Sequence, residues 1–350
     1  MNEVADAIAN GRASLQPGLR NASRVLILGG YGLRNVGDEA ILAGLLNQIA
    51  DVGAVRVVSR DPQETANLHG VQAVSPAAAI PALLRSDALI VGGGGMFSSD
   101  TGPLGKYIPL FCRLALLRGM PVAFHGVGIY SSTPPELLRS LRNLAPRLCS
   151  FTVRDAASAE VMDSLGVPTT RIPDLAMSMQ PADASVGRKL LRSAGIEAGK
   201  PVVGLSLTRI RERIAGQLVS AVPELIESMP DVEFCFIPIS QHPSTALHND
   251  ALFGEEIRRY APRLKILHGV HHPASVLAAF EQLDAAVCVR FHSHILAHRA
   301  GVPVISIPYA EKCLSWLSEH EMEAVDLSTH SLTDVVAVAL SRSSRQAVVA

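Results

Sequence analysis

The sequence of 350 residues is longer than one average domain and fits two of ordinary size. Hydrophobic residues make up 48% and charged residues 18% of the chain, which excludes a disordered protein. Lysine and arginine total 31 against 32 for aspartate and glutamate, and the formal charge of -1 argues against a general nucleic-acid binder, which needs a basic face.

The predicted elements alternate between short apolar runs, typical of buried strands, and longer periodic stretches, typical of helices. In the first half the predicted strands are 24–28, 55–59, 88–91, 122–125 and 151–153, and the predicted helices are 38–50, 77–85, 105–118, 135–145 and 156–165. Strands that alternate with helices predict a parallel sheet covered by helices on both faces.

The pattern weakens between Asp174 and Lys200, where we expect a domain boundary, and then repeats. The predicted strands are 201–207, 232–237, 264–267, 285–289 and 302–307, and the predicted helices are 212–228, 250–260, 273–282, 293–300 and 332–340. We therefore expect an α/β protein of two Rossmann-like domains with a central cleft. Its predicted parts are an N-terminal extension (1–23), a first domain (24–180), a second domain (200–330) and a closing helix (331–350).

The cysteines indicate the compartment. They number five, form no CxxC pair and mostly lie in apolar runs, which is typical of free thiols in a reducing environment. The first 24 residues contain acidic side chains and lack the apolar region of a signal peptide. No apolar run approaches the roughly 18 residues that a spanning helix needs. We expect a cytoplasmic protein, for which peripheral contact with the inner face of the cell membrane stays open.

Glycines follow predicted strands of the first half, where ligands of parallel α/β sheets bind. Gly32 and Gly37 have GxxxxG spacing, but Asp38 and Glu39 follow where a phosphate-binding loop has lysine and serine or threonine. The spacing GxGxxG is also missing, so nucleoside triphosphates and dinucleotides are disfavoured as ligands. Asp38 and Glu39 either cap the next helix, or one of them acts as a base or orients a hydroxyl group.

Four consecutive glycines, 92–95, follow the strand predicted at 88–91. Such a run costs chain entropy, so we expect it to need positive φ or a close backbone approach to a ligand. We favour ligand approach, with Gly93 and Gly94 as binding residues, over a merely tight crossing of the chain.

The stretch CVRFHSHILAHRAGVPVISIPYAEK contains a cationic cluster. Arg290 and His292 lie where a predicted strand ends and a helix begins, and Lys312 follows the next strand. Because neighbouring parallel strands end at one edge of a sheet, these three should lie close together. A guanidinium, an ammonium and an imidazole at a helix N-terminus predict an anion site. Arg154, which follows the strand at 151–153, is expected to face them across the cleft.

Two other interpretations of this stretch stay open. Arg290 alone also fits a structural ion pair. His292, His294 and His298 suggest a metal site, because His294 and His298 share a helix face. No cysteine or carboxylate with metal-ligand spacing accompanies them, so we predict no metal.

Taken together, these blocks resemble the polysaccharide pyruvyl transferase family. GGYGLRNVGDEAIL, GGGGMFSSD, TVRDAAS and VRFHSHILAHRAGVPVISIPYAEK lie in the family's order and span about residues 24–316. The resemblance implies a fold like that of B-type glycosyltransferases, phosphoenolpyruvate as donor and no further cofactor. It implies a sugar or lipid-linked oligosaccharide of a cell-envelope polysaccharide or exopolysaccharide as acceptor. Phe291 stands where the family usually has leucine, and the acceptor-facing loops are not recognisable, so the acceptor stays open.

The resemblance also implies roles for residues, since Arg154, Arg290, His292 and Lys312 match positions that the family uses around phosphoenolpyruvate. Transfer requires an acid that protonates the enol carbon and a base that receives the proton of a sugar hydroxyl. The predicted catalytic residues are His292 as acid or phosphate partner and Asp38 or Glu39 as base, with Asp100 as a further candidate base. The predicted substrate-binding residues are Arg154, Arg290, Lys312, Asn35, Gly93 and Gly94.

Two other functions fit the same architecture. The first is a sugar-nucleotide glycosyltransferase, in which Glu311 would hold a ribose and the basic residues a diphosphate. The second is a non-catalytic member that binds glycans or scaffolds an envelope-assembly complex. Stabilisation by phosphoenolpyruvate, by a nucleotide sugar or by neither would separate the three. The sequence predicts neither the acceptor hydroxyls, nor the ketal stereochemistry, nor the oligomeric state.

Overall fold

The structure is a computed structural model and describes residues 2–19, 22–97 and 104–343. The chain divides into two compact units. The first comprises Met1–Leu33 and Asp38–Gln180, and the second comprises Arg34–Gly37 and Pro181–Ala350. The four residues Arg34–Gly37, here called the 34–37 segment, therefore belong to the second unit although they follow the first strand.

The first unit is a parallel sheet with helices on both faces. Its strands are β1 (Arg24–Leu28), β2 (Ala54–Val58), β3 (Gln72–Val74), β4 (Ala88–Gly94), β5 (Val122–Val127), β6 (Ser150–Val153) and β7 (Thr170–Arg171). Its helices are α1 (Asn2–Leu19), α2 (Val36–Gln48, of which the first two residues belong to the 34–37 segment), α3 (Pro62–His69), α4 (Ala79–Leu84), α5 (Leu104–Leu117), α6 (Pro135–Leu144) and α7 (Ala156–Ser164). The strand order is β3-β2-β1-β4-β5-β6-β7. The chain adds β2 and β3 on one side of β1 and then adds β4 to β7 on the other side, so the switch point of this parallel sheet lies between β1 and β4.

Alternate side chains of the strands enter two cores, one on each face of this sheet. Leu26, Leu89 and Phe124 pack in the core that α4 to α7 cover. Ile27 and Ile90 pack in the core that α1 and α2 cover. Both faces of the strands are thus apolar, which explains the unbroken apolar runs in the sequence.

The structure adds elements that the sequence pattern did not predict, namely α1, α3, β3 and β7. The two strands are only three and two residues long, too short to show a period. Helix α1 fills most of the predicted extension, and its Ala7 and Leu15 are buried. β4 runs on to Gly94 instead of ending at Val91, because Gly92 and Gly94 pair with β5. The end of a buried strand is thus set by its neighbour's pairing as much as by its own residues.

The second unit is a smaller parallel sheet. Its strands are β8 (Val202–Ser206), β9 (Glu233–Phe236), β10 (Lys265–Ile266), β11 (Ala285–Cys288) and β12 (Val304–Ser306), in the order β10-β9-β8-β11-β12. Its helices are α8 (Ala184–Ser193), α9 (Glu212–Ser228), α10 (Asp250–Arg258), α11 (Pro273–Phe280), α12 (Phe291–Arg299), α13 (Glu311–Glu319) and α14 (Leu332–Ser341).

Helices cover both faces of this second sheet too. α9, α10 and α14 share one core with the strands, in which Val336 of α14 is fully buried. α12 packs on β11 and β12, and α11 packs on α12 and α8. Helix α8 lies in the stretch 181–199, which the sequence pattern left unassigned. Each unit is a parallel α/β sheet layered by helices, which confirms the predicted pair of Rossmann-like domains.

All five cysteines are free thiols. Burial raises the pKa of Cys112 and of Cys288 to about 12, which makes both thiols unreactive near neutral pH. Among the residues that the structure describes, no helix is both long enough and apolar enough to cross a membrane.

A buried polar network links the first sheet to the helices on one face. His125 of β5 is 0% exposed, and its Nε2 donates to Oε1 of Gln48 at 2.6 Å. Nε2 of Gln48 donates in turn to Oγ of Ser178 at 2.8 Å. Burial lowers the pKa of His125 to about 3, so the imidazole is neutral in the folded protein.

His125 is expected to make folding stability depend on pH. Below about pH 6.5, the ordinary pKa of histidine, His125 is protonated in the unfolded state and neutral in the folded state. Folding stability therefore falls as the pH falls. Between pH 7 and pH 5 the loss from this one group is about 2 kcal/mol. Urea unfolding of the wild type and of His125→Gln at both pH values is the measurement. Between pH 7 and pH 5 the free energy of unfolding should fall by about 2 kcal/mol less in the variant than in the wild type. Equal pH dependence in the two proteins would contradict the prediction.

Candidate functional site

The second unit places Arg290 and His292 at the start of α12, directly after β11. Arg290 is the N-cap residue of α12, and His292 is in the first turn. Arg290 is 8% exposed and His292 9% exposed. The positive end of the α12 dipole therefore lies at the carboxyl edge of the sheet, as the sequence predicted.

Arg290 forms a buried ion pair. Its Nη2 donates to Oδ1 of Asp250 at 2.7 Å, and its Nε lies 3.1 Å from both carboxylate oxygens. Asp250 is 1% exposed and also accepts a hydrogen bond from the backbone N–H of Ser240 at 2.8 Å. The carboxylate fixes the guanidinium in one orientation and balances its charge. The structural ion pair that stayed open for Arg290 is therefore present.

Lys312 is the second residue of α13, just beyond β12. Its Nζ lies 6.0 Å from the centroid of the Phe291 ring and 5.4 Å from that of Tyr309. It forms no hydrogen bond or ion pair with a described residue, so no carboxylate among the described residues pairs with it. Phe291 also packs edge-on against His292, with ring centroids 5.1 Å apart. The second unit thus brings Arg290, His292 and Lys312 to one edge of its sheet.

The 34–37 segment completes this site within the second unit. The N–H of Val36 donates to the carbonyl of Ile239 at 2.7 Å. Oδ1 of Asn35 accepts the N–H of Gly37 at 3.0 Å, which caps the start of α2. A Cβ built on Gly37 would overlap the imidazole of His292. Gly37 is therefore glycine because the backbone must approach this histidine closely.

In the first unit, Arg154 lies in a buried network, with only 1% of its side chain exposed. Its Nη1 donates to Oδ2 of Asp174 at 3.0 Å, and its Nε lies 3.4 Å from Oδ2 of Asp155. Its Nη2 donates to Oη of Tyr130 at 2.6 Å. Burial lowers the pKa of Arg154. Tyr130, Asp174 and Asp155 raise it by more than burial lowers it, so the pKa lies above that of a free arginine. The guanidinium is charged, and two carboxylates hold it.

The adjacent residues Asp38 and Glu39 have different surroundings. Glu39 is 3% exposed, accepts the N–H of Gly32 at 2.8 Å, and its Oε2 lies 2.8 Å from Nε2 of His69. Glu39 thus holds the loop after β1 in place. Asp38 is half-buried, and its carboxylate lies 3.7 Å from a Cβ built on Gly94. Asp38 is therefore at the carboxyl edge of the first sheet, between β1 and β4.

The glycine run needs its glycines for reasons inside the protein. Gly93 and Gly94 have φ angles of +51° and +80°, in the left-handed region that we expected. A Cβ on Gly93 would overlap Ile41, and one on Gly92 would lie 2.8 Å from Leu45. Packing and backbone conformation account for Gly92 and Gly93, and ligand binding by Gly93 and Gly94 stays a prediction. Asp100, the further candidate base, lies outside the described residues.

The histidines of α12 have hydrogen-bond and packing contacts inside the protein. His294 is fully buried, its Nδ1 donates to the carbonyl of Arg290 at 2.8 Å, and burial lowers its pKa to about 4. His298 packs against Trp316 at 5.4 Å between ring centroids. Over residues 2–19, 22–97 and 104–343, no three side chains among His, Cys, Asp and Glu lie together as a metal ion requires.

Sequence reasoning missed Asp250 and the packing of Gly37. Asp250 lies at the start of a predicted helix, where an acidic residue is commonly explained by the helix dipole. In the sequence, Gly37 is distinguished only by its GxxxxG spacing. No local signal connects either residue to Arg290 or His292, because the contacts form between segments that are distant in the chain.

Comparisons with known proteins bear on the family and the fold of this chain. The model of the polysaccharide pyruvyl transferase family matches residues 35–311, a span that includes Asn35, Arg154, Arg290 and His292 and ends one residue before Lys312. No curated protein sequence matches the chain significantly.

Several sugar-nucleotide enzymes have a similar structure. HepE from Anabaena, solved with UDP and glucose, is 16% identical, covers 91% of this chain and 90% of its own, and has a TM-score of 0.60. MnaA from S. aureus, solved with UDP, is 12% identical over 92% and 89%, with a TM-score of 0.61. UDP-GlcNAc 2-epimerase from Neisseria meningitidis, bound to UDP-GlcNAc, is 11% identical over 91% of both chains, with a TM-score of 0.58. At such identities the similarity shows the fold alone, that of B-type glycosyltransferases and epimerases.

Proposed function

The chain belongs to the polysaccharide pyruvyl transferase family, and from this premise we propose that it transfers a pyruvyl group from phosphoenolpyruvate to a sugar. The acceptor in this proposal is a saccharide of a cell-envelope polysaccharide or exopolysaccharide precursor, lipid-linked or free. The product is a ketal that bridges two hydroxyl groups of the sugar, and the leaving group is phosphate. The free cysteines fit a reducing compartment, so we place the reaction in the cytoplasm.

One observation carries the proposal, the cationic edge of the second sheet. Phosphoenolpyruvate has a carboxylate and a phosphate ester on the same carbon and needs several donors in a small space. The α12 N-terminus and the guanidinium of Arg290 supply oriented N–H donors, and Lys312 supplies a charge that no described carboxylate balances. Charge-assisted hydrogen bonds of this kind are worth roughly 1.5 to 3 kcal/mol each, enough to hold the donor without a resident cofactor.

The reaction balances without a further reactant. A proton adds to the methylene carbon of the enol, and the carbon that bears the phosphate ester gains oxocarbenium character. One sugar hydroxyl attacks this carbon and gives its proton to the base, and the bond between this carbon and the phosphate ester oxygen then breaks. A second hydroxyl attacks the same carbon to close the ketal ring, and its proton leaves with the phosphate. We assign the proton donor to His292, which the close approach of Gly37 holds in place.

We assign the base to Asp38 rather than to Glu39. Glu39 already accepts from Gly32 and contacts His69, which commits both of its oxygens. Asp38 follows Gly37 directly in the chain and is half-buried. Arg154 is held by two carboxylates, and its contact with the donor stays a prediction.

The test measures phosphate release by the full-length protein from phosphoenolpyruvate in the presence of lipid-linked or free saccharide precursors. Release should depend on the acceptor, and the product should gain the mass of pyruvic acid less one water. In thermal-shift measurements phosphoenolpyruvate should stabilise the protein, whereas UDP-sugars should not. The reverse result would identify a glycosyltransferase, and a folded protein that binds neither ligand would identify a glycan-binding member.

Gly37→Ala is expected to lower the turnover of phosphoenolpyruvate about 10- to 100-fold. The new methyl group must displace the His292 imidazole, and a catalytic group misplaced by about 1 Å costs this much. The control is Gly216→Ala in α9, where an added Cβ meets nothing within 4 Å and helix propensity improves. Steady-state rates and unfolding midpoints of both variants are the measurement. Full activity in Gly37→Ala would remove His292 from the mechanism.

A further inference from the structure

Helices α4, α5 and α6 form one layer over the first sheet. Their inward residues Leu83, Ile108 and Leu141 are 0% exposed and belong to the same core. α5 contacts both α4 and α6. The opposite sides of these three helices therefore form a continuous outer surface of the first unit, here called the α4–α6 face.

Large apolar side chains are exposed on this face. In the part of the first unit that the structure describes, every exposed large apolar side chain lies on α4 or α5. A surface helix ordinarily presents polar residues on its outer side, so α5 departs from the rule. The exposed residues are Ile80 (46%), Leu84 (54%), Tyr107 (57%), Leu110 (51%) and Leu117 (77%).

The same face is strongly basic, although the whole protein is almost neutral. Residues 104–149, which include α5, α6 and the turn after each helix, contain six lysines and arginines, all exposed, and Glu136 is their only acidic residue, whereas the whole chain has a formal charge of -1. None of the six forms a hydrogen bond or an ion pair with any described residue. The six are Lys106, Arg113, Arg118, Arg139, Arg142 and Arg147.

We propose that the α4–α6 face docks on a membrane surface that contains anionic phospholipids. Exposed leucine and tyrosine side chains on a helix that lies along the surface can enter the boundary between headgroups and acyl chains. The basic side chains at their margins attract anionic headgroups and extend their aliphatic stems along the apolar surface. The proposal does not depend on pyruvyl transfer.

Charge decides between this occupant and others. A second copy of the chain on the same face would bring two sets of six unbalanced positive charges together, which opposes self-association. A nucleic acid would match the charge but would leave Leu110 and Leu117 in contact with water or phosphate. An anionic lipid surface satisfies both the charge and the apolar side chains.

The test is co-sedimentation of the full-length protein with phosphatidylcholine vesicles that contain or lack phosphatidylglycerol. We expect binding only to the anionic vesicles, and weaker binding at high salt. Lys106→Gln and Arg113→Gln should each lower the partition coefficient about fivefold. Absence of binding to anionic vesicles, or equal binding to neutral ones, would overturn the proposal.

The apolar contribution is tested separately with Leu110→Ser/Leu117→Ser. Both side chains are exposed, so the fold should be retained, and the partition coefficient should fall about tenfold or more. The matched control is Leu252→Ser/Tyr260→Ser in the second unit, where the exposed fractions are 54% and 63%. An equal loss in the control would overturn the proposal.

Two further results would assign the face to another occupant and so overturn the proposal. Light scattering would do so if it showed a dimer that Leu110→Ser/Leu117→Ser dissociates. Competition would do so if an oligonucleotide displaced the protein from anionic vesicles and bound it more tightly than they do.

Discussion

Lys312→Met is expected to lower the turnover of phosphoenolpyruvate about 10²- to 10³-fold while leaving the unfolding midpoint unchanged. Methionine keeps the length and the apolar stem that packs near Phe291 and Tyr309, and it removes only the ammonium group. Because no described carboxylate pairs with Lys312, its removal leaves no described carboxylate unbalanced, so stability should not suffer. The ammonium of Lys312 can therefore bind a ligand, and its loss should lower the affinity for phosphoenolpyruvate and the rate of the reaction.

The matched control for this change is Lys189→Met, at an exposed position on α8. Calorimetric titration with phosphoenolpyruvate and phosphate release should both be normal in the control. Normal affinity and rate in Lys312→Met would show that the ammonium does not touch the donor, and the anion site would have to be placed elsewhere.

Arg154→Met is expected to lower the free energy of unfolding by about 3 to 5 kcal/mol at pH 7. The change leaves Asp155 and Asp174 buried and without the guanidinium that balances them. Each carboxylate keeps one backbone donor, from Ser158 and Ala176, which does not replace a full positive charge. Urea unfolding measures the loss.

Two comparisons distinguish this structural function from the substrate contact predicted for Arg154. The loss should shrink in Arg154→Met/Asp174→Asn, which removes one unbalanced charge. Arg24→Met should change stability little, since the Arg24–Asp87 pair is exposed to solvent. If Arg154→Met folded with wild-type stability but lost affinity for phosphoenolpyruvate, the substrate contact would be right and our structural assignment wrong.

The edge position of Arg290, His292 and Lys312 was predictable because it follows from local order. A strand, a helix and a second parallel strand bring the residues after both strands to one side of the sheet, whatever the rest of the chain does. The apolar runs of β4, β5 and β11 are long enough to be recognised as strands, and their parallel order follows from the helices between them.

The partners of these cations were not predictable. Arg290 pairs with Asp250, 40 positions earlier, and Arg154 pairs with Asp174, 20 positions later. Both carboxylates begin helical turns, where their local sequence explains them fully as caps or dipole partners. The pairing of buried charges depends on which segments the fold brings together, and the hydrophobic periodicity of the sequence does not predict these pairs.

For the glycine run 92–95, too, the sequence predicts one part and the packing of the folded protein decides the other. The sequence shows that four glycines in succession, 92–95, demand an unusual backbone, and the positive φ angles of Gly93 and Gly94 agree. Whether the space beside them holds a ligand or a side chain is a matter of packing, and Ile41 and Leu45 occupy it at Gly93 and Gly92.

The amino-acid sequence by itself determined the two parallel α/β sheets and the edge at which the cations of the second unit gather, because strand and helix periods and chain order are local properties. Only the tertiary structure decided which cations form ion pairs with buried carboxylates. It also decided that position 37 has no space for a Cβ beside His292, and that the outer sides of α4, α5 and α6 share one basic and apolar surface. Those facts depend on distances between segments far apart in the chain, and burial makes the energy of each charge depend on such distances.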